Sequence, residues 1–234
     1  MPDRKEELLK GIVDLYVTSA EPVGSQALLT FLDLSVSSAT VRNDLKELEE
    51  EGYVISPHTS AGRIPTARAY RKYVEHFLQP TVPESFFAAL SEQPDVTDIA
   101  RAIKHIAKQQ AEALNAAVFL VLSREQTYYT GLTHLFSQPE FAEMGTVQNV
   151  TALLDRFDDI APDLYRLIGD KDMHMHIGPG NPFGDSCTIM FVPFAWEGNT
   201  KSLMGIIGPM RMDYNTSIGA MRAAKTYLET HCIA

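Results

Sequence analysis

VSSATVRNDLKELEEEGYVISPHTSAGRIPTARAYRKYV, residues 36–74, holds two patterns back to back. The first is helical. Val41, Leu45 and Leu48 share one face of a helix running from Ser38 to Glu50. Ser35-Val36-Ser37 is a turn whose serines can cap it, since a hydroxyl accepts an otherwise unpaired N–H of the first turn, and Gly52 stops it. The second pattern is a hairpin. Tyr53-Val54-Ile55 alternates and ends at Pro57, Thr59–Gly62 can turn, and Arg63-Ile64-Pro65 can return as an edge strand, where proline is tolerated. Thr66 then caps a further helix, Ala67–Leu78, with Tyr70, Tyr73, Val74 and Phe77 inward.

Working outward, the stretch before it supplies two more helices. Leu8, Leu9, Ile12, Val13, Leu15 and Tyr16 make one wide apolar stripe over Lys5–Val17. Glu21-Pro22 ends that helix, because proline cannot continue it. Val23–Leu32 is a short second helix expected to turn Ala27, Leu28 and Phe31 inward. Helix, helix, turn, helix, two-stranded wing, helix is the order of a winged helix-turn-helix.

The outward side of the Ser38–Glu50 helix carries Ala39, Asn43 and Lys46, flanked by Thr40 and Arg42, while its acids, Glu47, Glu49 and Glu50, with Glu51 beyond, gather at the C-terminal end. An ordinary amphipathic helix with a solvated face fits this pattern. So does a helix that enters a major groove, where asparagine pairs bidentately with adenine and alanine or threonine methyls touch thymine. The wing tilts the choice. Residues 57–76 carry Arg63, Arg68, Arg71 and Lys72 against Glu75 alone, in a chain of formal net charge −10. A local basic footprint, not overall charge, marks a phosphate-binding surface. These four are the expected phosphate contacts, with His58, Thr59, Ser60 and Gly62 at the wing tip. Such contacts supply affinity and register, not sequence reading.

Composition excludes other classes. A chain of 234 residues with 45% hydrophobic content suffices for one large domain or two modest ones with real cores. No apolar run approaches the ~18 residues of a membrane span, and MPDRKEELLKG has no apolar signal region. Cys187 and Cys232 stand far apart with no CxxC, which suits a reducing, cytoplasmic setting and argues against a disulfide scaffold or a cysteine-rich zinc site. No cofactor, catalytic group or metal is expected.

At this point a family resemblance is legible. EPVGSQAL (21–28), VSSATVRNDLKELEEEGYV (36–54) and PHTSAGRIPTARAYRKYV (57–74) resemble the N-terminal DNA-binding domain of the HrcA family of heat-inducible transcription repressors. GLTHLFSQPEF (131–141), HIGPGN (176–181) and GIIGPMRMDYNTSIGAM (205–221) are similar to segments of that family's C-terminal GAF-like domain. The resemblance implies a homodimeric repressor of chaperone operons that binds the inverted repeat CIRCE in double-stranded DNA, is released by heat, and is supported by the GroEL-type chaperonin. It also adds Ser25, Gln26, Ser37 and Ser38 to the DNA-binding set. Two departures stand out. Ala69 occupies a position where the family usually has glycine. After AAVFLVLS (116–123) the chain passes almost directly to TGLTHLF, without the long segment that carries more of the sheet and an inserted dimerisation subdomain in typical members.

The expected organisation is therefore α+β: a winged helix-turn-helix over 1–79, a proline-marked linker over 80–97, and a GAF-like sensing and dimerisation domain over 98–234 with a mainly antiparallel sheet and flanking helices. In that half, helices are expected over Asp98–Leu114, Glu140–Phe157, Ala161–Ile168 and Asn215–His231. Strands are expected over Ala116–Leu122, Met173–Ile177, Ser186–Val192 and Leu203–Ile207. With the middle segment short, the Gly205–Tyr214 stretch and the closing helix are the candidates for a dimer contact. His174 and His176 share a strand face, and Asp172, Asp185 and His134 could join them around a metal, but an HxH lacking a fixed third ligand is weak. The glycines of HIGPGNPFGD and GIIGP follow no phosphate-loop pattern and read as turns. A GAF-like half that binds a small-molecule effector is the alternative to a folding-state sensor.

Overall fold

The computed structural model describes residues 4–58, 61–91, 99–123, 126–142, 144–196 and 199–231. The chain divides into two compact units, Met1–Leu78 and Gln79–Ala234.

The first unit contains α1 (Arg4–Ser19), α2 (Ser25–Leu32), α3 (Ser38–Glu50), β1 (Val54–Ile55), β2 (Ile64–Pro65) and α4 (Ala67–His76). Its core is the meeting of four stripes: Leu8, Leu9, Ile12 and Val13 from α1, Leu28 from α2, Val41, Leu45 and Leu48 from α3, and Tyr70 and Tyr73 from α4. Fully burying each such side chain contributes about 1.5–3 kcal/mol, which is why these short helices hold together though none would alone. The inward face of α2 differs from expectation. Leu28 is buried, but Ala27 and Phe31 face solvent, Phe31 being 49% exposed. The reason is that α2 has only eight residues, of which Leu28 alone is buried where the helix meets α1 and α3.

The second unit holds α5 (Glu84–Ser91), α6 (Ile99–Leu114), β3 (Ala117–Ser123), β4 (Gln126–Thr130), α7 (Leu132–Phe136), a 3-10 turn at Pro139–Phe141, α8 (Met144–Leu154), α9 (Phe157–Ile168), β5 (His174–Ile177), β6 (Cys187–Trp196), β7 (Asn199–Pro209) and α10 (Tyr214–His231). The five strands form one sheet in the order β4-β3-β7-β6-β5, with every ladder antiparallel. Both faces are covered. Phe119, Val121, Ile189, Phe191, Leu203 and Ile207 meet α8 and α9 through Val150, Leu154, Phe157, Leu164 and Ile168. On the opposite face α10 lies against β6, where the Thr188 and Tyr214 hydroxyls are 3.0 Å apart, and α6 lies against β3. Double coverage explains why β3, an interior strand between β4 and β7, reads as an unbroken apolar run, not an alternating one.

Four sequence expectations change here. The linker expected over 80–97 is helical over part of its described length: α5 lies inside it, with Phe86 and Leu90 buried against α6 and α10. Strand β4 was not anticipated; it pairs with β3 from Val118↔Thr130 to Ser123↔Gln126, where the long family segment is absent, so the sheet closes without it. The single helix over Glu140–Phe157 is split into the 3-10 turn and α8, and α9 begins at Phe157 and carries Pro162 in its interior, where the proline forgoes one helical hydrogen bond. Finally, Gly205–Tyr214, expected as a candidate dimer contact, offers little free surface. Its residues 205–209 lie in β7 at the centre of the sheet, and Arg211 is drawn inward to Glu140 (2.5 Å) and Gln138 (2.7 Å), only 13% of its side chain remaining exposed.

His174 gives the second unit a pH dependence. It sits half-buried on edge strand β5 with its ring 5.0 Å from that of Phe191, and its Nε2 meets no acceptor among the described residues. Burial first, then the charges of Lys171 and His176, lowers its pKa from the ordinary 6.5. The unfolded chain therefore takes up a proton that the folded one refuses. Stability is complete above about pH 6.5 and falls as the pH drops below it. Melting curves between pH 7.5 and 5.5 should show this loss, and His174→Phe should flatten it; a parent whose melting temperature ignores pH in that window contradicts the assignment.

Candidate nucleic-acid interface

The N-terminal end of α3 is built by hydroxyls. Ser37 has extended backbone (φ −75°, ψ 152°), and its Oγ accepts the Thr40 N–H at 3.1 Å while lying 2.9 Å from Thr40 Oγ1. The Ser25 and Ser38 hydroxyls are 3.0 Å apart, joining the first turns of α2 and α3. Those bonds engage three of the expected DNA-facing serines in fixing the helix-turn-helix angle. Ala39, Arg42, Asn43 and Lys46 are exposed along the outward face of α3, as is Gln26 on α2, with Thr40 half-buried beside them.

On the inward face sequence reasoning missed one charge. Asp44 is only 7% exposed, and its carboxylate takes both Arg4 Nε (2.6 Å) and Arg4 Nη2 (2.9 Å). This two-point grip fastens α1 to α3. An acid at position 44 among the helix's apolar residues was the available signal, but its partner is forty residues away.

The wing is a minimal ladder, Val54↔Pro65 and Ile55↔Ile64. A third piece of chain completes it: Val23 N–H donates to the Arg63 carbonyl at 2.9 Å and Arg63 N–H to the Val23 carbonyl at 2.8 Å. Gly62 makes that approach possible, because a Cβ there would lie 2.5 Å from the Val23 carbonyl carbon. His58 is exposed, and its carbonyl accepts the Ala61 N–H at 3.0 Å. Thr59 and Ser60 lie outside the described residues. Between wing and helix is a hollow of about 540 Å³, walled by Arg42, Asn43 and Lys46 on one side and by Ser25, Gly62 and Arg63 on the other.

The expected row of phosphate-binding cations is largely turned to the protein. Arg63 Nη2 meets Glu49 Oε2 at 2.8 Å and Nη1 meets Ser56 Oγ at 3.2 Å, leaving 21% of the side chain exposed. Arg68 lies over the Tyr53 ring (4.5 Å) and donates to the Glu51 carbonyl at 2.6 Å, at the C-terminal end of α3, where a cation complements the helix dipole. Lys72 Nζ is 5.3 Å from the same ring and 3.1 Å from Glu6. Arg71 remains exposed. Adding Lys5, whose ammonium Glu51 and Glu47 hold above its ordinary pKa, and Lys46 near Glu50 (3.7 Å), every acid at the tail of α3 has a cation beside it. Three basic residues that look like a DNA footprint in sequence thus neutralise acids or cap carbonyls. Arg42 makes no ion pair among the described residues.

In the second unit His176 Nε2 lies 2.9 Å from the Pro179 carbonyl, and His174 faces Phe191. No group of three His, Cys, Asp or Glu side chains among the described residues is placed to hold a metal. Burial, with the Glu140 charge adding to it, pushes the Cys187 thiol up to about 12, so it stays protonated and donates to the Phe183 carbonyl at 3.1 Å. No helix among the described residues is long and apolar enough to cross a membrane.

A short four-helix unit with an outward helix, a wing beside it and a helix-flanked antiparallel sheet in the second unit defines the class: a helix-turn-helix transcription regulator with a GAF-like domain. Comparison with known proteins agrees. Residues 31–66 match the DeoR-like helix-turn-helix domain, and residues 70–218 match the family described as HrcA protein C terminal domain. The chain belongs to the HrcA family. Relatives bearing the name heat-inducible transcription repressor HrcA include one from Brevibacillus brevis, 26% identical across 93% of this chain and 94% of its own length. One from Cutibacterium acnes is 51% identical over 106 residues, 43% of this chain and 31% of its own. A crystal structure of a hypothetical protein superposes with a TM-score of 0.81 at 18% identity, covering 98% of this chain and 99% of that one, and so shares the fold.

Proposed function

We propose that this chain is a DNA-binding repressor of chaperone operons, acting in the cytoplasm as a homodimer on a CIRCE-type inverted repeat and leaving it on heating. The observation that carries this reading is the exposed face of α3. Ala39, Arg42, Asn43 and Lys46 front the hollow beside the wing, while the acidic tail of the helix is neutralised by the protein's own cations. Asn43 is the base reader, the Ala39 and Thr40 methyls meet thymine, and Arg42, Lys46, Arg71 and His58 take the phosphates, with Gln26, Ser37 and the wing tip at Thr59 and Ser60 alongside. Ser25, Ser38, Gly62, Arg63, Arg68 and Lys72 act by shaping that surface.

One winged helix reads only a few base pairs, so two-fold symmetry supplies the remaining specificity and requires an inverted repeat. Heat then acts by mass action: melting the second domain uncouples two heads that each bind weakly alone. The GroEL-type chaperonin is the partner that returns the heated chain to its binding state. The deciding experiment is a nuclease footprint upstream of chaperone genes with the full chain, before and after mild heating, alongside light scattering. A two-fold symmetric footprint that vanishes on heating supports the reading; a monomer that protects nothing overturns it.

Two substitutions separate the roles. Asn43→Ala is expected to relax selectivity at one position in each half-site, costing about 1–3 kcal/mol against the preferred base, as measured by selected-site sequencing. Arg42→Ala is expected to weaken all sequences alike and lower the salt slope by about 1. Lys72→Ala should leave that slope unchanged, because its ammonium is engaged with Glu6.

A further inference from the structure

The acids at the tail of α3 read at first as charges to be kept away from phosphate. One of them does something else. Glu49 Oε1 accepts the Ser56 N–H at 3.0 Å, where the chain leaves β1 for the wing. Its Oε2 meets Arg63 Nη2 at 2.8 Å, where the chain returns to β2. Arg63 Nη1 closes the ring by donating to Ser56 Oγ at 3.2 Å, and Ser56 Oγ donates to the His58 carbonyl at 2.8 Å. A single carboxylate thus grips both stems of the wing. The Arg63 backbone is at the same time paired with Val23, so the clasp also reaches the segment leading into α2. Only a third of the Glu49 side chain is exposed.

We propose that Glu49 is a positioning residue for DNA binding: through Ser56 and Arg63 it fixes the wing relative to the outward face of α3. This rests on the DNA-binding reading above. The proposal inverts the simple electrostatic expectation. Deleting an acid from a DNA-facing domain removes repulsion and frees Arg63 for a phosphate, so affinity should rise and the salt slope should steepen by about 1. Loss of the clasp instead releases a two-residue-per-strand ladder that is too short to hold its own angle. Contacts made jointly by helix and wing are then made separately.

The test uses the full chain and double-stranded DNA carrying a CIRCE-type inverted repeat, titrated at several salt concentrations. Binding is read at a temperature where melting curves show every variant folded. Glu49→Ala is expected to bind about tenfold more weakly than the parent. Glu49→Gln, which keeps an acceptor for the Ser56 N–H, should stay within about threefold. Arg63→Ala should add little to Glu49→Ala, because both remove one device. If Glu49→Ala does not fold, Glu49→Asp, whose shorter side chain cannot reach the Ser56 N–H and Arg63 together, opens the same clasp without changing charge and is expected to bind about threefold more weakly. Glu49→Ala binding as tightly as the parent or more tightly overturns the clasp, as does a folded Glu49→Asp indistinguishable from the parent. A parent that binds no DNA overturns the DNA-binding reading itself, and the clasp with it.

Discussion

Gly219→Ala is expected to destabilise the second unit by about 3 kcal/mol, although helix propensity argues the other way. Gly219 lies in α10, where alanine in place of glycine normally gains about 1 kcal/mol. Here the added Cβ would sit 2.0 Å from the Thr81 carbonyl oxygen and 2.5 Å from its carbon. Both are backbone atoms, and that backbone is held in place. Thr81 N–H donates to the Asn215 carbonyl at 3.1 Å, and Gln79 N–H donates to Asn215 Oδ1 at 2.7 Å. Lifting the strap breaks those bonds and pulls at α5, whose Phe86 is buried. The clash therefore wins over propensity. A loss of that size is a large share of the 5–15 kcal/mol that holds a typical domain folded. Urea denaturation followed by the fluorescence of the single tryptophan measures it, and a variant as stable as the parent would show that the strap is not packed on α10.

Gly62→Ala is expected to cost DNA affinity at least tenfold and to loosen the first unit by about 1–3 kcal/mol. The demand at Gly62 is for space. Its Cβ would fall 2.5 Å from the Val23 carbonyl carbon and 2.6 Å from the Pro22 carbonyl carbon and oxygen. None of these can rotate away as a side-chain tip can, so the paired hydrogen bonds between Val23 and Arg63 must open and the wing must shift from α3. Gly24→Ala is the control for stability, since a Cβ there meets nothing within 4 Å; it should melt within about 1 kcal/mol of the parent. Operator titration of Gly62→Ala decides the functional half. Undiminished affinity means that the wing takes no part in binding.

The two glycines show where local reading stops. Residues 36–54 alone were enough to set α3: Ser37 as cap, an apolar face at Val41, Leu45 and Leu48, and a stop at Gly52, which adopts φ 76°. These are interactions within a few residues of one another, so pattern and propensity carry them. The same holds for β3, for α10 and for the cap at Thr66 that starts α4. The fold class and the outward face of α3 were legible for that reason. Three things were not. Strand β4, with the mixed sequence QTYYT, exists because β3 offers it an edge. The supposed linker became α5 because α6 and α10 present an apolar surface to Phe86 and Leu90. The basic cluster of residues 57–74 looks like a phosphate-binding row because sequence shows the cations without their pairing. Their partners, Glu49, Glu51 and Glu6, lie 14, 17 and 66 positions away, by the differences 63 − 49, 68 − 51 and 72 − 6. Which charge a guanidinium meets is settled by chain crossings that no local pattern encodes. Tertiary structure alone therefore decided which of these cations face outward and which hold the wing in place.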